Sequence, residues 1–145
     1  MANVLVVYHT YRGITPKMVE ALQKGVEKAG GQCNVVKASD ANPEDLLAAN
    51  TVVLASGQPF GTLAGPVKTF LEQCWNYEGK EQFAGKKYAI MLNGSRETSD
   101  VAAYLTNILP YFKLAKAAEP VSCLAKDVDE VLDKCTALGE ELAQA

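Results

Sequence analysis

The sequence predicts a doubly wound α/β domain, a parallel sheet with helices on both faces, and three observations carry that expectation. Short apolar and β-branched runs alternate along the chain with segments of helical period. The run Val52-Val53-Leu54-Ala55 is apolar without interruption, as a central strand covered on both faces must be. The connections between elements are short, and no linker, repeat or low-complexity stretch intervenes, so residues 1–145 read as one domain.

The first strand is Val4-Leu5-Val6-Val7-Tyr8, and it leads into an amphipathic helix with Met18, Leu22, Val26 and Ala29 on one face. Gly30-Gly31 stops that helix, because glycine accepts the left-handed conformation of a helix end. Cys33 to Val36 begins a second strand. A brief helix follows, with Asn42 as cap, Pro43 in the first turn and Glu44 and Asp45 at its positive end. After the third strand, Leu63, Val67, Phe70, Leu71 and Cys74 mark a helix that starts near Leu63, and Tyr88 to Leu92 forms the fourth strand. A helix with Val101, Leu105, Ile108 and Leu109, a weak fifth strand within 114–119, and a last helix carrying Val128, Val131, Leu132, Cys135, Leu138 and Leu142 complete the chain. Ligands of such folds sit at the carboxyl ends of the strands, which directs attention to three loops, 9–15, 57–62 and 93–97.

With 145 residues, 48% of them hydrophobic and 21% charged, the chain can bury a core without disulfide or metal staples. Its net charge of −3 excludes a nucleic-acid binder held by bulk positive charge. Cys33, Cys74, Cys123 and Cys135 lie far apart, with neither a C-x-x-C pair nor zinc-ligand spacing, and read as mostly buried thiols of a cytoplasmic protein. No stretch approaches the roughly 20 apolar residues of a membrane span, and no basic amphipathic helix suggests surface attachment, so no membrane insertion is expected.

The first loop reads His9-Thr10-Tyr11-Arg12-Gly13-Ile14-Thr15, with Pro16 opening the helix. Backbone N–H groups at the helix start, beside the hydroxyls of Thr10 and Thr15, would cradle a phosphate, and Gly13 would let the backbone turn tightly. Thr15 as an ordinary helix cap is the alternative. The loop lacks G-x-G-x-x-G and the G-K-[ST] ending, which removes a dinucleotide fingerprint and a nucleoside-triphosphate loop. It also lacks a cysteine before Arg12 and an acidic pair after the strand, so it is neither a cysteine-phosphatase loop nor a receiver-domain site.

At this point the chain resembles the flavodoxin superfamily. Thr10-x-x-Gly13-x-Thr15 is similar to that superfamily's loop for the phosphate of flavin mononucleotide (FMN). Phe60-Gly61-Thr62-Leu63-Ala64-Gly65, followed by Lys68-x-Phe70-Leu71, resembles the segment that lies beside the flavin ring in flavodoxin-like NAD(P)H:quinone reductases. Phe83-Ala84-Gly85-Lys86-Lys87 also matches, and the likeness spans most of the chain, weakening after Asn107. Ile14 and Gln58-Pro59 depart from the family pattern, as does the absence of the reductases' long insertion. The resemblance implies a five-stranded sheet of order 2-1-3-4-5 and FMN as cofactor. It implies cofactor contacts from all of 9–15, from Gly57, Gln58, Pro59, Phe60, Gly61 and Thr62, and from Asn93, Gly94, Ser95 and Arg96.

Trp75 is an unsuitable ring partner, since a helix starting near Leu63 carries it roughly 15–20 Å from the second loop. It reads as a core or helix-end packing residue, and Cys74 is removed from the site by the same distance. Tyr11 and Phe60 lie in the loops and are the better cover for the ring faces. Backbone N–H groups near Gly57, Gly61, Gly94 and Ser95 would serve its polar edge. His9, the sole histidine, has no second histidine or carboxylate nearby in sequence to make it catalytic, and reads as a hydrogen-bonded loop residue.

Both arginines, Arg12 and Arg96, fall in these loops, all twelve lysines fall outside, and Glu97 is the one acid there. An electron carrier resembling flavodoxin would be expected to have an acidic rim, whereas this mouth is neutral to slightly positive. Arg12 and Arg96 would suit the phosphates of a nicotinamide nucleotide, or be simply solvated. Three readings follow: electron transfer through bound FMN with a partner protein, NAD(P)H-dependent reduction of a quinone-like acceptor, and a cofactor-free interaction module.

Overall fold

The computed structural model describes residues 2–144. Strand β1 (Asn3–His9) is followed by α1 (Thr15–Lys28), β2 (Gln32–Lys37), α2 (Pro43–Leu47), β3 (Thr51–Ser56), α3 (Gly65–Trp75), β4 (Lys87–Gly94) and α4 (Ser99–Ile108). Two short strands, β5 (Ala115–Lys116) and β6 (Val121–Leu124), and helix α5 (Leu132–Gln144) end the chain. The sheet is parallel throughout, in the order β2-β1-β3-β4, with β5 and β6 sharing the outer edge of β4.

The alternation of side chains along each strand divides the core in two. Val4 and Val6, with Val53, Ala55, Ala89 and Met91, pack under α1 and α5. Leu5 and Val7, with Val52, Leu54, Ile90 and Leu92, pack under α2, α3 and α4. All six residues of β3 are buried, as its unbroken apolar run requires of a central strand. The α1 stop forms as expected: Gly30 adopts φ +88°, its N–H donates to the Glu27 carbonyl, and Gly31 N–H donates to that of Val26. Asn42 and Asp45 cap α2 reciprocally, each side chain accepting from the other's backbone N–H.

Several boundaries differ from those expected. The fifth strand is not one segment within 114–119: β5 pairs with Lys87 and Tyr88, whereas β6 pairs with Met91 to Gly94. Glu119-Pro120 falls between them, and proline cannot donate to a ladder. Strand β4 runs to Gly94, so Asn93 and Gly94 belong to the sheet rather than to the loop beyond it. Helix α3 begins at Gly65, with Pro66 in its first turn, rather than near Leu63. Val128 and Val131 lie in a 3₁₀ segment before α5.

Candidate functional site

The carboxyl ends of β1, β3, β4 and β6 meet at one rim, where their loops enclose a cleft of about 350 Å³. Thr10, Tyr11, Arg12, Ile14 and Thr15 line it from the first loop; Gly57, Gln58, Pro59 and Phe60 from the second; and Asn93, Gly94 and Ser95 from the end of β4. Ala125, delivered by β6, completes it. Sequence reasoning missed Ala125 because it placed the last strand within 114–119, ending six residues short of where the cleft is reached.

Thr10 Oγ1 accepts from the Gly13 N–H at 2.8 Å, and Gly13 adopts φ +81°, so the first loop is a tight turn before α1. Thr15 does not cap this helix. It is the first residue of α1, the preceding position is Ile14, and no side chain caps the helix start. The backbone N–H groups of Arg12, Ile14 and Thr15 accordingly meet no acceptor among the described residues. Together with the α1 dipole they make an anion-attracting end at the floor of the cleft. Thr15 is buried, and its Oγ1 accepts from Asn93 Nδ2 at 2.9 Å, which leaves its hydroxyl hydrogen available as a donor.

The second loop is a short 3₁₀ turn, Pro59–Gly61, in which Phe60 holds φ 55° and ψ 24°. That left-handed conformation is costly for a residue with a side chain. Phe60 is nevertheless wholly exposed, and Tyr11 is 67% exposed, so two aromatic rings stand at the mouth. Gln58 reaches across to the third loop, its Nε2 donating to the Arg96 carbonyl at 3.2 Å and the Glu97 carbonyl at 3.0 Å.

Five residues expected to touch a cofactor lie outside the lining. His9 ends β1 with its ring edge-on to Tyr11, centroids 4.3 Å apart. Its Nε2 is buried and meets no partner among the described residues, unlike that of the hydrogen-bonded loop residue expected, and burial holds its pKa below the ordinary 6.5. Gly13 lies exposed within the turn, with open space where a Cβ would stand. Gly61 and Thr62 fall on a neighbouring hollow with Leu63, Lys68 and Tyr104. Arg96 is exposed and gives the structure its carbonyl rather than its guanidinium. Trp75 ends α3 as its distance from the loops required, but at 47% exposed it is no core residue; Phe112 meets its edge and Lys80 lies over its ring.

Glu97 is the one negative charge at the mouth, and α4 fixes its place. Its carboxylate accepts from the Ser99 hydroxyl at 2.8 Å and the Ser99 N–H at 3.1 Å, and these bonds hold its pKa below the ordinary carboxylate range. It is held against the first turn of α4 and stays ionised, so the three loops carry Arg12 and Arg96 against this one acid, a slight positive excess.

No protein-family model matches the chain. Among proteins of known name, an NAD(P)H dehydrogenase (quinone) from Rhizobium rhizogenes is 26% identical over 106 residues, 59% of this chain and 51% of that protein. The chain therefore spans about half the length of such relatives. Among solved structures, a flavodoxin from the domain Archaea superposes with a TM-score of 0.82 at 20% identity, covering 98% of this chain and 96% of that one. A two-electron reduced flavodoxin from Megasphaera elsdenii does so with a TM-score of 0.81 at 19% identity, covering 98% and 99%. The fold is that of the flavodoxins, down to the strand order.

Proposed function

We propose that this chain binds FMN in the cleft and acts as an intracellular redox protein that exchanges electrons with a partner protein. The observation that carries this reading is the uncapped start of α1, whose free N–H groups stand beside the Thr10 and Thr15 hydroxyls at the floor of the cleft. A terminal phosphate would be held there. Gly57, Gly94 and Ser95 would offer backbone donors to the ring, and Tyr11 and Phe60 would cover its faces and exclude water. The flavin, when bound, supplies reversible uptake of electrons; the chain supplies position and electrostatics.

A second reading, NAD(P)H-dependent reduction of a quinone or similar acceptor, is favoured by the name of the Rhizobium relative and by the excess of Arg12 and Arg96 over Glu97 in the three loops. Titrating the purified chain with FMN, followed by flavin fluorescence, is expected to give saturable binding. FMN should bind at least about a hundredfold tighter than riboflavin, the difference that two charge-assisted hydrogen bonds to the phosphate would make. No saturation refutes both redox readings and leaves the cofactor-free module. Equal affinities refute the phosphate site. Steady NADH or NADPH oxidation by the loaded protein with a quinone would select the second reading over the first.

A further inference from the structure

We infer that Gln58 is a positioning residue, a latch that holds the loop after β4 against the loop after β3 and so keeps the ring end of the cleft in its binding shape. The inference rests on the flavin reading of that cleft. Strands β3 and β4 are neighbours, with Ser56 opposite Leu92, so their loops leave the sheet side by side. Beyond Gly94 the chain turns away through Ser95, Arg96 and Glu97, all exposed. The hydrogen bonds that tie this segment to the 57–62 loop are the two from Gln58 Nε2, at 3.2 Å to the Arg96 carbonyl and 3.0 Å to the Glu97 carbonyl. Both partners are acceptors only, so the amide must present its NH₂ to them, and its two hydrogens are both used.

A second feature fits the latch. Gly94 lies beneath it, and a Cβ there would stand 2.7 Å from Gln58 Cγ and 2.8 Å from Nε2. The absence of a side chain at Gly94 is what lets the Gln58 arm cross. An untethered segment would have to be ordered when the ring binds, at a conformational cost of about 1–2 kcal/mol per residue fixed; the latch meets that cost during folding.

Three variants test this in the full chain. Gln58→Leu removes the donors, Gln58→Glu keeps the shape but replaces the donors with a carboxylate, and Gly94→Ala obstructs the arm. In the FMN-free protein, amide hydrogen exchange over residues 95–98 is expected to quicken about tenfold in Gln58→Leu and Gly94→Ala, the rest of the sheet staying as in wild type. The Kd for FMN should rise about tenfold in both, as the loss of one or two net hydrogen bonds implies. Gln58→Glu should bind FMN as weakly as Gln58→Leu near pH 8. It should regain affinity towards about pH 5, where the protonated carboxyl can again donate to a carbonyl, while Gln58→Leu does not. Unchanged exchange in the variants overturns the latch whatever the wild type binds. Quickened exchange with an unchanged Kd overturns its role in binding, as does a Gln58→Glu protein with no pH-dependent recovery relative to Gln58→Leu. A wild type that takes up no FMN overturns the flavin reading, and the latch's binding role with it.

Discussion

Phe60 combines two costs that a purely structural turn residue would avoid: a left-handed backbone and a large apolar ring wholly in water. Glycine fits that conformation freely, and no packing is lost with the ring. Phe60→Gly is therefore expected to leave the thermal midpoint unchanged or slightly raised while weakening FMN roughly tenfold, the scale of a lost aromatic contact. A lowered midpoint with intact binding would show that the ring serves the fold instead. At this scale the sequence was legible where a side chain acts through its own position. Thr10 stands in a βα turn and Thr15 opens the helix after it, and both line the cleft. It was not legible where the role lies in reaching another loop, as with Gln58, or in burial by a distant strand, as with Asn93 against Thr15.

Elements formed wherever period and capping agreed, and the reciprocal cap of α2 could be read from Asn42-Pro43-Glu44-Asp45 alone. What escaped was the seam between α1 and α5, since nothing local marks Gly25 and Gly139 as contact points. A Cβ added at Gly25 would fall on the Thr136 carbonyl, and one at Gly139 on the Leu22 carbonyl, so these two glycines set how closely the helices approach. Gly139→Ala, a change that favours an isolated helix by about 1 kcal/mol, is expected to destabilise this protein by roughly 1–3 kcal/mol, because backbone cannot yield as a side chain can. Denaturant unfolding measures the sign, and a stabilised variant would refute the close approach.

For the molecule as a whole, three thiols raised by burial contribute to how stability changes at high pH. Burial, with the nearby Glu44 and Asp45 carboxylates, pushes Cys74 up to about 12; burial and Glu27 push Cys33 to about 11, and burial likewise raises Cys135 to about 11. Above the ordinary value of 9.0 the unfolded chain releases these protons while the folded chain keeps them, so stability falls as pH rises from there towards about 11. The midpoint of Cys135→Ala, whatever its cavity costs, should fall less steeply than that of wild type between about pH 8 and about pH 10.5; parallel slopes would refute this. Topology was legible at this scale because the alternation of strand and helix survives every boundary error. The divided outer strand was not, because two and four residues carry too little pattern to announce themselves. That division has a consequence for how the chain can change. From Lys116 to Val121 the chain takes five steps, while β4 takes three from Tyr88 to Met91 between the same pairings, so the surplus leaves the ladder at the sheet's margin, with Ala117 and Ala118 half-buried against the core beside it. Extra sequence spliced in there would lengthen a detour already made, sparing both ladders and the cleft, which makes this the chain's natural point of growth.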